Sequence, residues 1–218
     1  LAWRFTTEGA RCVVVVDIVA DGAREVAAEV GGTAMVADVS RSADVARVVE
    51  ETEARVGPID LFCSNAGVFV PGGVDLSDDG WDAIWGVNVL AHVHAARAVL
   101  PPMLARGRGY LLQTASAAGL LSQIGSAPYA VTKHAAVGFA EWISITYGDQ
   151  GIGVSVLCPQ AVRTRMTDGL AVGSAAAIDG MLEPGQVAEA VVAGLEDERF
   201  LILPHPEVLE YMRRKTAD

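Results

Sequence analysis

The chain has 218 residues, 51% of them hydrophobic and 20% charged, with a formal charge of −11. That length and composition suit one globular domain, residues 1–218, with a core of its own. The acidity argues against nucleic acid or an anionic membrane as partner: both are repelled, and the only basic run, residues 213–215, is too short to offset it.

In chain order, residues 12–16 form a β-branched run that closes at Asp17. Helical spacing follows over 20–31, then a strand over 33–37 that closes at Asp38. A helix opens at Ser42, with Asp44 three positions before Arg47, and stops at Gly57-Pro58. Residues 59–63 read as a strand. A long helix is predicted over 81–105, kinked or broken near its end by Pro101-Pro102. A strand over 109–113 leads to a second long helix over 126–148, and a strand over 152–158 stops at Pro159. A helix over 184–195 and a strand over 200–203 follow, and the tail from Pro204 to Met212 reads as ending in a short helix of its own.

Apolar strands alternating with helices predict a doubly wound parallel sheet, α/β and Rossmann-like, with helices on both faces. Ligands bind such sheets at the carboxyl ends of the strands. The polar residues there are Asp17, Asp38, Ser64-Asn65, Ser116 and the segment after Pro159. Three cysteines, Cys12, Cys63 and Cys158, each in an apolar run, are expected as buried reduced thiols. They point to a cytoplasmic protein. No spacing suggests a zinc site, and no uninterrupted apolar run suggests a membrane span.

Tyr129 and Lys133 stand at i and i+4 on a predicted helix, hence on one face. A neighbouring ammonium favours the phenolate, so the pair suits proton exchange with an alcohol or carbonyl oxygen. Only two of the 16 basic residues are lysines, Lys133 and Lys215, so a lysine here is a departure from the chain's usual choice of Arg. Ser116, 13 residues before Tyr129, can hydrogen-bond the same oxygen.

The segment from Gln113 to Gly119 followed by Tyr129-Ala-Val-Thr-Lys133 resembles the short-chain dehydrogenase/reductase family. Ser64-Asn65-Ala66-Gly67 is similar to that family's Asn-Asn-Ala-Gly motif, with Ser64 in place of the first Asn. Asn88 matches the asparagine of its long helix. Pro159-Gln-Ala-Val-Arg-Thr164 is similar to the segment that meets nicotinamide, with Gln160 in place of Gly.

The resemblance implies roles. Tyr129 is the general acid/base, Lys133 lowers its pKa and binds the nicotinamide ribose, Ser116 orients the substrate oxygen, and Asn88 holds a water. Asp17 and Ile18 meet the adenosine ribose, Asp38 and Val39 the adenine. Asn65, Ala66, Gly67, Pro159, Val162 and Thr164 complete the cofactor contacts. A carboxylate at Asp17 repels a 2′-phosphate and so favours NAD over NADP. Asp38 also reads as an N-terminal cap for the helix near Ser42, for which Ser40 is as good a candidate.

The family's opening strand and glycine-rich turn have no counterpart in the sequence. Residues 1–5 resemble the middle of the helix after that turn and residues 8–11 its end. The expectation is a longer protein; the alternative is a chain that starts here, with a gap in mid-sheet.

Residues 165–183 resemble the family's variable substrate loop, and Met166, Leu170, Val172, Ile178, Met181 and Leu182 make it apolar. They suit either an apolar alcohol or ketone substrate or plain packing. His92 and His94 project about 200° apart on a helix, poor co-ligands for a metal and expected at the surface or an interface. His134 is expected to point away from the pair, and His205 to sit in a turn. The resemblance also implies a homodimer or homotetramer through the two long helices. The rival function is a non-catalytic regulator on the same fold. A serine hydrolase lacks its GxSxG elbow here.

Overall fold

Two parallel ladders carry the fold. In the first, β1 (Val14–Asp17) pairs with β2 (Thr33–Val36), Val14 opposite Thr33. In the second, β3 (Leu61–Ser64), β4 (Gly109–Thr114), β5 (Ile152–Leu157) and β6 (Leu201–Ile202) lie in that order. β3 and β4 register Ser64 against Gln113, and β4 and β5 register Thr114 against Leu157. The two ladders are not hydrogen-bonded to each other, so the expected parallel sheet is present in two parts. The computed structural model describes residues 1–168 and 177–217.

Helices cover both faces. On one side α5 (Ala91–Ala105) and α6 (Ala127–Tyr147) pack on β4 and β5 through Val99, Met103, Leu111, Ala140, Ile143 and Val156, all nearly or fully buried. On the other, α7 (Pro184–Glu196) and α1 (Ala2–Thr7) meet Leu112, Leu157 and Ile202. α2 (Ala20–Glu29) packs on the first ladder, and α3 (Ser42–Arg55) bridges to α5. The core is built from small aliphatic side chains, as the low aromatic content requires.

The long helix is interrupted, but not where its prolines stand. α4 (Asp78–Trp85) passes through a π turn, Gly86–Leu90, into α5. Pro101 and Pro102 lie inside α5, which runs on to Ala105 because buried Leu100 and Met103 hold its last turn against the core. The stretch Asp78–Ala105 spans 28 residues, long and apolar enough to cross a bilayer by length and composition, and half of its most apolar window is buried inside the molecule.

Three other expectations are corrected. Cys12 is exposed, outside β1; Cys63 is half-buried and Cys158 buried. Neither Asp38 nor Ser40 caps α3: its N-cap is Arg41, with no side-chain bond, while Asp38 accepts from the Ser40 hydroxyl at 2.6 Å. Asp44 takes the Asp38 N–H at 3.0 Å, and Arg47 bonds to Val36 O and Glu51. His92 is fully buried, its Nδ1 bonded to Gln113 Oε1. The tail does form a helix, α8 (Glu207–Ala217).

Candidate active site

Ser126 opens α6. Its hydroxyl oxygen accepts from Tyr129 N at 3.2 Å and donates to Val70 O at 2.5 Å, fixing the first turn against the loop after β3. That turn presents Tyr129, and the next presents Lys133. Lys133 is 3% exposed, and its Nζ donates to Thr114 O at 3.0 Å, 5.7 Å from the centre of the Tyr129 ring. Ser116 caps the short turn Ala117–Gly119, accepting from Ala118 N at 3.1 Å, and is near enough to the Tyr129 phenol to act on its pKa. The turn lies directly on α6, since a side chain at Gly119 would run into Lys133 O.

Burial governs the charges. It brings the Lys133 ammonium down to about 8. It pushes the Tyr129 phenol up; the Ser116 hydrogen bond opposes this and the Cys158 thiol adds to it. The sequence led us to expect a phenol acidified by Lys133. With the chain's own groups that is not the outcome, because the ammonium is committed to the Thr114 carbonyl while the phenol loses solvent.

Asn88 sits in the π turn and is fully buried. Its amide donates to Val68 O and accepts from Val68 N, both at 2.9 Å, and donates to Thr132 Oγ1 at 3.2 Å. The side chain thus joins the loop after β3 to α6, one residue before Lys133. Gly67 lies against both: a Cβ there would stand 3.4 Å from Lys133 Nζ and 3.5 Å from Asn88 Oδ1. Asn65 accepts from the Thr114 hydroxyl at 3.1 Å, and Asn65 and Ala66 are exposed. Ser116, Tyr129, Lys133, Asn88 and Gly67 are therefore brought together at the carboxyl end of the second ladder.

Of the other candidates, Asp17, Ile18, Asp38 and Val39 lie at the carboxyl end of the first ladder, while Pro159 adjoins the cluster. Asp17 ends β1, exposed, its Oδ1 accepting from Val19 N at 2.8 Å, with Ile18 and Val19 64% and 60% exposed beside it. Asp38 follows β2, its carboxyl held low chiefly by the Ser40 hydroxyl. Val39 O meets His94 Nδ1 at 3.2 Å. Pro159 follows β5 and its carbonyl accepts from the Ser116 hydroxyl at 3.4 Å. Val162 forms a lone parallel bridge with Leu182, and Thr164 caps the turn Arg165–Thr167. Of the expected apolar loop, Met166 and Ile178 are exposed and Met181 and Leu182 half-buried; Leu170 and Val172 lie outside the described residues.

Sequence reading missed three participants. Phe69 stacks at a tilt on Tyr129, centroids 5.2 Å apart, and is 38% exposed. Gln113 anchors His92 next to the Thr114 carbonyl that holds Lys133. His205 sits in the turn between β6 and the last helix, as expected, but is buried there at 3% exposure, and its Nδ1 accepts the Gln160 N–H at 3.2 Å. Only the local oddity of Gln160 in place of Gly signalled that last contact. His134 is exposed and bonded to Ala130 O, away from the pair as expected. Among the described residues no group of three potential ligands could hold a metal ion.

A family model described as short chain dehydrogenase matches residues 1–173. The 1-deoxy-11-beta-hydroxypentalenate dehydrogenase of Streptomyces avermitilis is 37% identical over 216 residues, 95% of this chain and 80% of that protein. Two solved structures superpose with a TM-score of 0.85, each over 99% of this chain and 88% of theirs. One is the apo form of LigD from Sphingobium sp. strain SYK-6, 30% identical. The other, 26% identical, is a short chain dehydrogenase/reductase from Burkholderia phymatum in complex with NAD.

Proposed function

The chain belongs to the short-chain dehydrogenase family, and on that premise we propose that it is an oxidoreductase moving hydride between NAD(H) and a secondary alcohol or its ketone. The observation that carries this reading is the buried Lys133 ammonium 5.7 Å from the centre of the Tyr129 ring, with the buried Ser116 hydroxyl on the same side of the sheet acting on the phenol. The donor set fits a dinucleotide. Asp17 offers an exposed carboxylate to ribose hydroxyls, beside an apolar shelf of Ile18 and Val19. Asp38 and Val39 would border the adenine, Asn65, Ala66 and Gly67 the middle of the cofactor, and Pro159, Val162 and Thr164 its nicotinamide end. When bound, nicotinamide supplies the hydride chemistry.

The chain's own groups handle the proton. Ser116 donates to the substrate oxygen and sets its position. Tyr129 exchanges a proton with that oxygen. Its phenol is raised by burial, so it rests protonated, the form needed to reduce a ketone. Lys133 steadies the developing phenolate and the ribose, and Asn88 holds a water behind it. Phe69 beside the phenol makes one wall apolar, which supports an apolar substrate.

The Asp17 carboxylate supports NAD over NADP. The exposed apolar face of α6, with Val131, Trp142 and Ile145, supports a homodimer or homotetramer. The free cysteines suit a reducing cytoplasm. The test is a screen of secondary alcohols and ketones with NAD and NADP on full-length protein, with light scattering for the assembly. NADH binding without turnover on any of them would favour a non-catalytic regulator.

A further inference from the structure

One peptide unit, joining Pro159 to Gln160, is held at both ends. Its carbonyl accepts from Ala117 N at 2.9 Å and from the Ser116 hydroxyl at 3.4 Å. Its N–H donates to His205 Nδ1 at 3.2 Å. Because a peptide is planar, Ser116 and His205 grip opposite edges of one rigid plate.

An Nδ1 that accepts carries no proton, so His205 is the neutral Nε2–H tautomer. Two carboxylates act on the ring. Glu207 belongs to the first turn of α8, and Asp179 to the segment that leads into α7. Asp179 is itself tied to α8 through the Tyr211 hydroxyl at 2.8 Å. Both carboxylates favour protonation of the ring, and burial opposes it and is larger. Among the described residues His205 Nε2, Asp179 Oδ2 and Gln160 Oε1 are buried without hydrogen-bond partners.

We propose that His205 is a positioning residue for Ser116: its bare Nδ1 holds the Pro159–Gln160 peptide in place, and protonation of the ring releases that peptide and the serine hydroxyl bound to it. When the proton adds to Nδ1, two N–H groups face each other and the contact turns repulsive. α8 thereby acts on the reacting end through Glu207. The inference rests on reading Ser116 as the group that orients substrate.

The deciding experiment is NMR on full-length protein without cofactor or substrate, following the His205 ring and the Gln160 amide from about pH 8 to about pH 5. The Gln160 amide should shift and lose exchange protection with the midpoint of the ring. An amide indifferent to that titration overturns the proposal, whatever the enzyme's activity, so this result stands apart from the reading of Ser116. A kinetic arm uses His205→Asn, whose side-chain oxygen replaces Nδ1 as acceptor but does not titrate. It should keep kcat within about twofold at neutral pH and lose the acid limb of the kcat profile, whereas His205→Ala should lower kcat about tenfold with cofactor KM little changed. An Asn variant that keeps the acid limb, or an Ala variant with unchanged kcat, overturns it. If neither variant folds, the NMR titration decides alone.

Discussion

The two ends of the proposed site are built in opposite ways. At the reacting end, Ser116, Lys133 and Asn88 are buried and cross-tied to backbone groups far away in the chain. At the nucleotide end, the Asp17 and Asp38 carboxylates accept from residues two positions along, and Ile18 and Val19 lie open. The difference teaches where preorganisation is spent. Proton transfer needs groups fixed to fractions of an ångström, so its residues are locked by nonlocal bonds. Recognition of a ribose by charge tolerates a mobile carboxylate at the surface.

Tyr129→Phe challenges this contrast most severely. The variant should fold, bind NADH and lose about 10²- to 10⁴-fold in kcat. Turnover above about a tenth of wild type would remove the phenol from the chemistry, and the locked geometry around it would need another purpose.

Lys133 sharpens the contrast through stability. Its folded value is lowered to about 8 from 10.5. Between those values the unfolded chain holds a proton that the native protein has lost, so stability rises with pH across the window. Urea unfolding of wild type against Lys133→Met should show wild type gaining up to about 3 kcal/mol from about pH 8 to about 10.5. A difference that stays flat would mean the ammonium is solvated.

Asn88→Ala strips three hydrogen bonds and strands the Val68 backbone groups. A loss of about 1–3 kcal/mol in denaturant unfolding is expected, with faster exchange of the Val68 amide. At the tolerant end, Asp17→Ser should shift preference roughly tenfold toward NADP and leave kcat alone. A collapse of kcat there would erase the distinction between the two ends.

Much of this was legible in the sequence. Strand-end polar residues mark the carboxyl edge of a parallel sheet, and Tyr129 and Lys133 share a helix face by spacing alone. What stayed hidden depends on partners distant in sequence. His92 looks like a surface histidine until Gln113, 21 residues on, meets it in the core. His205 reads only as a turn residue, and its tie to the Gln160 N–H, 45 residues earlier, stays hidden. The direction of the phenol's shift was misread for the same reason. Spacing reveals a neighbouring charge, while solvent loss depends on what packs around the pair. Pro101 and Pro102 misled because tertiary packing overrode a local rule.

The π turn at Gly86–Leu90 also has a meaning for phase. It carries one residue more than an α-helical turn, so α4 and α5 are two stretches of one helix read in different frames. Removing Val87 would close the turn to α geometry and leave the phase of α4 and α5 nearly unchanged, whereas removing a residue from within α5 would rotate α4 by about 100° relative to the rest of α5. Ile84, fully buried, would then swing off the core along with the face that packs against α6. A one-residue gap within residues 78–105 but outside the π turn is therefore a change of surface and not a shortened loop, and the turn is the one place where such a gap leaves both faces where they are.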